Sequence, residues 1–515
     1  MIKMRTVTSA IAPLLLCTAL PSTTQAQNPW QPFGGGGPPP SPAPTYRPGA
    51  PTPAPTLAPT HMSVPMKPAR AGEKYNYGHV MGLSLLFYEA QRSGPLPASN
   101  RIPWRGDSAL EDGKDVNLDL TGGWYDAGDH VKFNFPMAWS ATTLAWGVHE
   151  YWDAWKKAGE LSNALDQLKW VADYLVKCHP DPDTYYVQVG NGNSDHGYWG
   201  TAESMTMSRP SYAVGRGREA GSAAIGEAAA ALAAISVLFK QQGDSVYAAH
   251  LIDTAKSLFA LGDGNQGGFS VSQPFYSSSG FRDELAWGAA WLYEATGEQE
   301  YLDKAESLYA GGCCGSAWSY SWDAKAPGVQ LLLYKHTRKS QYKTDSSNFV
   351  GGAIGKGQTP KGLAYWDKWG SNRYAANGAF IALVAADYGI HVEDGRAWAM
   401  QQIHYMLGDA HGGINNATGL PFFSYVCGYG DDFPRAPHHR GSSCWSGTNC
   451  NCGSSPQPHV LYGALVGGPG NNDDYSDSCS DYTRNEVTTD YNAGFTAALG
   501  ALRHLSLTKQ LPQKH

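Results

Sequence analysis

Ala228-Ala229-Ala230-Ala231-Leu232-Ala233-Ala234 lies within a stretch, residues 219 to 241, that is small and apolar almost all round. A helix without a polar face gains nothing from a place at the surface. Its short side chains let other backbones approach from more than one direction, so it belongs to an inner layer. The run Ala164 to Lys177 is different: it is apolar on one side only and belongs outside. Apolar residues at three and four spacing recur near 77–93, 142–158, 164–178, 219–241, 245–261, 283–296, 299–310, 327–337, 341–352, 373–388, 394–408 and 488–505. Alternating strands are few, the best being Tyr185 to Val189 and Phe423 to Val426. About twelve helices in two layers predict an all-α fold of six helical hairpins closed into a ring, with loops gathered at one end to build a cleft.

Around this domain, placed at residues 73–507 with a short tail at 508–515, the chain has two further regions. Lys3 and Arg5 precede an apolar run from Ile11 to Leu20, and Thr24-Gln25-Ala26 offers small residues for cleavage, so residues 1–26 are expected to be a secretory signal. Residues 27–72 are rich in Pro, Gly, Ala, Ser and Thr and are expected to be a disordered linker. The protein is therefore expected to be secreted and monomeric. Eight cysteines follow the signal, an even number that favours disulfides, especially between 427 and 479. A net charge of −7 provides no basic patch for nucleic acid or an anionic membrane, and no later run is long enough to span a bilayer. The 17 Trp and 29 Tyr bring flat apolar faces with polar edges, which suits stacking on sugar rings.

The chemistry is placed at Gly122-Gly123-Trp124-Tyr125-Asp126-Ala127-Gly128-Asp129-His130-Val131-Lys132-Phe133. Only Ala and Gly separate its two carboxylates. A water can lie against both acids, one taking its proton while the other orients it or adjusts its neighbour's pKa. The same tetrapeptide also reads as a capped loop, and two later stretches decide between these readings: Pro437-His438-His439-Arg440, and Tyr475-Ser476-Asp477 running on through Tyr482, Glu486 and Tyr491 to Asn492-Ala493.

These three motifs, in this order, resemble glycoside hydrolase family 9, cellulases built on an (α/α)6 barrel, and the resemblance covers residues 75 to 505. It implies Asp129 as base, Asp126 as the partner that positions the water, Glu486 as acid, Asp477 as a group orienting the loop or the acid, and His438 and Arg440 as donors to sugar hydroxyls. His196 and Trp199 resemble the family's loop beside the scissile sugar, and Trp369, Arg373, Tyr374 and Tyr491 its cleft contacts. Ser279, Gly280, Asp283 and Glu284, with Asp323 as a distant ligand, resemble a calcium loop found in part of the family; Asp283 and Glu284 equally read as caps of the helix that follows. No cofactor is expected for catalysis. The chain departs from the family at Cys427, Asp432, Cys479 and Ser278 and in an extra segment from Gly412 to Pro421. Cys427 and Cys479 suggest a disulfide between the His438 and Glu486 loops. The resemblance implies an inverting endo-β-1,4-glucanase acting on cellulose-like chains. The alternatives are a mixed-linkage or end-acting glucanase and a catalytically silent glucan-binding protein.

Overall fold

A computed structural model describes residues 62–447, 450, 452–453 and 456–513. The expected signal at 1–26 and the linker as far as residue 61 lie outside them. Six helices, Asn134–Glu150, Ser222–Gln242, Arg282–Thr296, Ala326–Thr337, Ser371–Asp387 and Thr489–Leu507, pack each against the next, and the last closes on the first. Six others, Tyr77–Ala90, Leu161–Lys177, Ser245–Gly264, Gln299–Ala310, Ser340–Ile354 and Val392–Leu407, form the outer layer. Outer and inner helices alternate along the chain, so the fold is an (α/α)6 barrel.

Small residues make the inner ring possible. A Cβ on Gly147 would come within 2.6 Å of Ala497 Cβ, and one on Gly288 within 2.9 Å of the Gly226 carbonyl. The ring's centre is filled by Trp146, whose ring meets Trp287, Trp291, Tyr320 and Phe380 at 5.1–6.3 Å between centroids. Helix Ser222–Gln242 is long and apolar enough to cross a membrane, but it is buried inside this ring.

Several boundaries differ from expectation. The stretch read as 142–158 is two helices, Asn134–Glu150 and Trp152–Ala158, separated at Tyr151. Phe423 to Val426 is not a strand and makes one bridge, Val426 to Leu465. Residues 62–72, read as linker, lie against the domain: Met62, Val64 and Met66 pack on the core, and Val64 N–H donates to Tyr462 Oη at 3.3 Å. At the other end Leu511 also packs on the core, and Arg396 donates to Gln510 at 2.9 Å, so the expected tail belongs to the domain at least to there.

Candidate active site

The Asp126–Asp129 loop is held from three sides. Its own turn closes through Asp126 N–H to Val131 O at 3.0 Å. Thr489 N–H donates to Asp126 O at 2.9 Å, fixing the loop to the start of the last inner helix, and Arg440 N–H donates to Gly128 O at 3.0 Å. Gly128 has no unusual φ; its value is close approach, because a Cβ there would lie 2.0 Å from the His438 carbonyl oxygen. The left-handed glycines are Gly122 and Gly123, which turn the chain under Tyr174. Lys132 and Phe133 then pair with Val189 and Gln188 in an antiparallel sheet of Lys132–Phe133, Thr184–Val189 and Ser211–Gly215. This pairing brings the His196 loop beside the two aspartates.

A cavity of about 580 Å³ is lined by Asp126, Asp129, His196, Trp199, Trp369, Arg373, His438, Arg440, Glu486 and Tyr491, among others. Asp129 is buried, which pushes its pKa up. His196 (3.4 Å away), the Arg440 charge and the Ala127 N–H (3.1 Å) outweigh that and hold it below the ordinary carboxylate range. Asp126 is shifted well upward by burial and then by the Asp129 charge; among the described residues its side chain has one donor, Tyr276 Oη at 2.5 Å, and its Oδ1 has none. Glu486 is also raised, by burial first, although Trp369 Nε1 at 2.6 Å and Tyr491 Oη at 3.1 Å both donate to its Oε2. One carboxylate is thus kept ionised while two others favour the proton, the division of labour that acid–base catalysis needs.

His438 runs parallel to Glu486 through a backbone bridge, and its Nδ1 meets Cys479 O at 2.7 Å. Asp477 lines no part of the cavity; it accepts the N–H groups of Arg435 (2.7 Å) and Ala436 (3.0 Å) and so anchors the loop leading to His438. Arg373 pairs with Asp490 at 2.8 Å, and Trp199 lies under the Arg440 guanidinium at 5.3 Å. Tyr374 is not in this cavity. It lines a neighbouring one of about 670 Å³ and meets Trp318 edge-on at 4.9 Å.

Ser279, Gly280, Asp283 and Asp323 face that second cavity as well. Asp323 is raised by burial, which the Ser279 N–H at 2.8 Å and the Lys325 charge offset only in part while the Asp283 charge adds to it, an environment a hard cation relieves. Asp283 accepts Lys325 N–H at 2.9 Å, and both it and Glu284 stand in the first turn of the helix Arg282–Thr296, as the helix-start alternative expects, although no side-chain cap hydrogen bond forms there among the described residues. Glu284 departs from the expected set: it turns inward to Lys325 Nζ at 3.2 Å and does not line the cavity.

The disulfides also correct the expected pairing. Cys479 bonds Cys452, Cys444 bonds Cys450 and Cys313 bonds its neighbour Cys314, while Cys427 is a free, buried thiol. Two site residues went unremarked from sequence. Tyr276 arrives on an aperiodic loop that offers no signal. Asp195, buried beside His196 and raised to about 6 by burial and by the Asp129 charge, was signalled only by its place next to that histidine.

The sequence pattern of Glycosyl hydrolase family 9 matches residues 77–499. Endoglucanase A of Bacillus pumilus is 46% identical over 454 residues, covering 84% of this chain and 67% of its own. Endoglucanase 14 of Arabidopsis thaliana is 39% identical, covering 84% and 95%. Among solved structures, the endoglucanase of the termite Nasutitermes takasagoensis superposes with a TM-score of 0.79 at 47% identity, covering 84% of this chain and 99% of that one. Endoglucanase CelQ of Clostridium thermocellum, complexed with cellotetraose, does so with a TM-score of 0.74 at 37% identity, covering 86% and 72%.

Proposed function

Because the chain belongs to glycosyl hydrolase family 9, we propose that it is a secreted endo-1,4-β-glucanase that cuts internal bonds of cellulose and related β-glucans with inversion. The observation that carries this reading is the convergence of three carboxyl groups on one cavity, Asp129 held below the ordinary carboxylate range and Asp126 and Glu486 above it. Glu486 gives its proton to the leaving glycosidic oxygen while Asp129 takes one from a water on the opposite face of the sugar, and Asp126 holds that water. Trp369 and Tyr491 fix the Glu486 carboxyl through one oxygen, leaving the other to carry the proton. His438 and Arg440 donate to sugar hydroxyls, and Trp199 offers a ring face. Three disulfides and the N-terminal apolar run support export, and a monomer is part of the same proposal.

Viscometry of soluble carboxymethyl cellulose tests the assignment. The native enzyme should collapse viscosity early, ahead of the release of reducing ends. Glu486→Gln should lower the rate by about 10³-fold with the fold intact. Slow viscosity loss with steady cellobiose release would replace internal cutting by end-wise action, and near-native turnover by the variant would remove Glu486 as acid. We further assign a structural calcium to Ser279, Gly280, Asp283 and Asp323. Chelation should then lower the unfolding temperature by several degrees, and an unchanged transition would remove the ion.

A further inference from the structure

The segment that Trp199 contacts at the edge of the cleft carries a further exposed aromatic residue. Trp199 Nε1 donates to Ser443 Oγ at 2.9 Å, and Thr201 N–H donates to Gly447 O at 3.1 Å, so the Trp199 loop is bound to the segment closed by the Cys444–Cys450 disulfide. That segment presents Trp445 with 54% of its surface in solvent. Its ring meets His459 edge-on at 5.3 Å, and His459 in turn stacks on Trp104 at 5.1 Å with an 11° angle between planes. The Cys452–Cys479 bond ties the same region to the loop that leads into Glu486.

A large indole left in water forgoes the free energy of burial, and isolated exposed apolar residues need no explanation. Here the exposed indole is one of a group of rings, is supported from behind, and is held by a covalent loop next to a sugar-binding cleft. We propose that Trp445 is a docking face for a β-glucan strand that continues beyond the Trp199 end of the cleft. The occupant follows from adjacency to the cleft and from chemistry: the C–H faces of a neutral pyranose match a rigid indole, and the Trp199–Ser443 and Thr201–Gly447 bonds hold Trp445's segment against the cleft's edge. The proposal rests on the reading of the cleft as a β-glucan site.

The test compares a substrate that the cleft alone can hold with one that reaches past it. Trp445→Ala should leave kcat/KM on cellotetraose within about twofold and the unfolding temperature unchanged, because an exposed ring leaves no cavity behind. Adsorption to amorphous cellulose should weaken about fivefold, and Trp445→Phe should restore most of it. Unchanged adsorption overturns the proposal. So does an equal loss on cellotetraose, which would make Trp445 a support of the Trp199 loop. A native enzyme that neither cleaves cellotetraose nor adsorbs to cellulose would instead remove the β-glucan reading of the cleft.

Discussion

The barrel's interior and its loop end both bury carboxyl groups, and they surround them with different partners. Inside the ring, Glu227 and Glu284 share the Lys325 ammonium at 3.3 and 3.2 Å, and Glu227 also accepts from Thr142 and Trp287. In the cleft, Asp126 and Glu486 receive only neutral donors, a phenol for one and an indole and a phenol for the other. Neutral donors satisfy hydrogen bonding without cancelling charge, so burial there favours the protonated acid. Asp129 has cationic help that outweighs burial, from Arg440 and from His196 when protonated, whereas the Arg373 charge near Glu486 does not. Burial raises Glu227 and Glu284 as it raises Asp126 and Glu486, so what sets Asp129 apart is charged and hydrogen-bonded help strong enough to outweigh burial.

Removing the interior's cation should have the larger effect on stability. Lys325→Met leaves two buried acids uncompensated and should cost about 3–5 kcal/mol, read as a fall in the denaturation midpoint. Little change would mean that the interior acids are as neutral as those in the cleft. A smaller effect belongs to His196→Gln. Asp129 needs its charge to act, and its pKa lies below the ordinary value, so activity is lost only as pH falls through that lowered pKa. Weakening the imidazole's hold should move this acid limb upward by about half to one pH unit. The alkaline limb, where raised Glu486 loses its proton, should stay. Movement of the alkaline limb instead would show that His196 acts on the acid.

The fold was legible because the inner helices are small and apolar all round, a pattern that only a second helical layer can satisfy. Its boundaries were less so: Asn134–Glu150 begins directly after the strand residues Lys132–Phe133, where no spacing marks a change of period. The acids of the candidate site stood in short motifs whose residues stay close in space. Tyr276 and the true partner of Cys479 did not, since one sits on an aperiodic loop and disulfide connectivity has no signature in cysteine spacing. Tyr374 adjoins Arg373 in sequence, yet helical rotation sends it into the next cavity.

The central claim is that Asp129 activates a water and does not attack the sugar. Proton NMR of the anomeric signals during the first minutes of β-glucan hydrolysis, before mutarotation, tests it directly. A single displacement predicts that fresh product appears as the α-anomer. Initial β-product would contradict the account, requiring a covalent glycosyl intermediate and a nucleophile in place of the base.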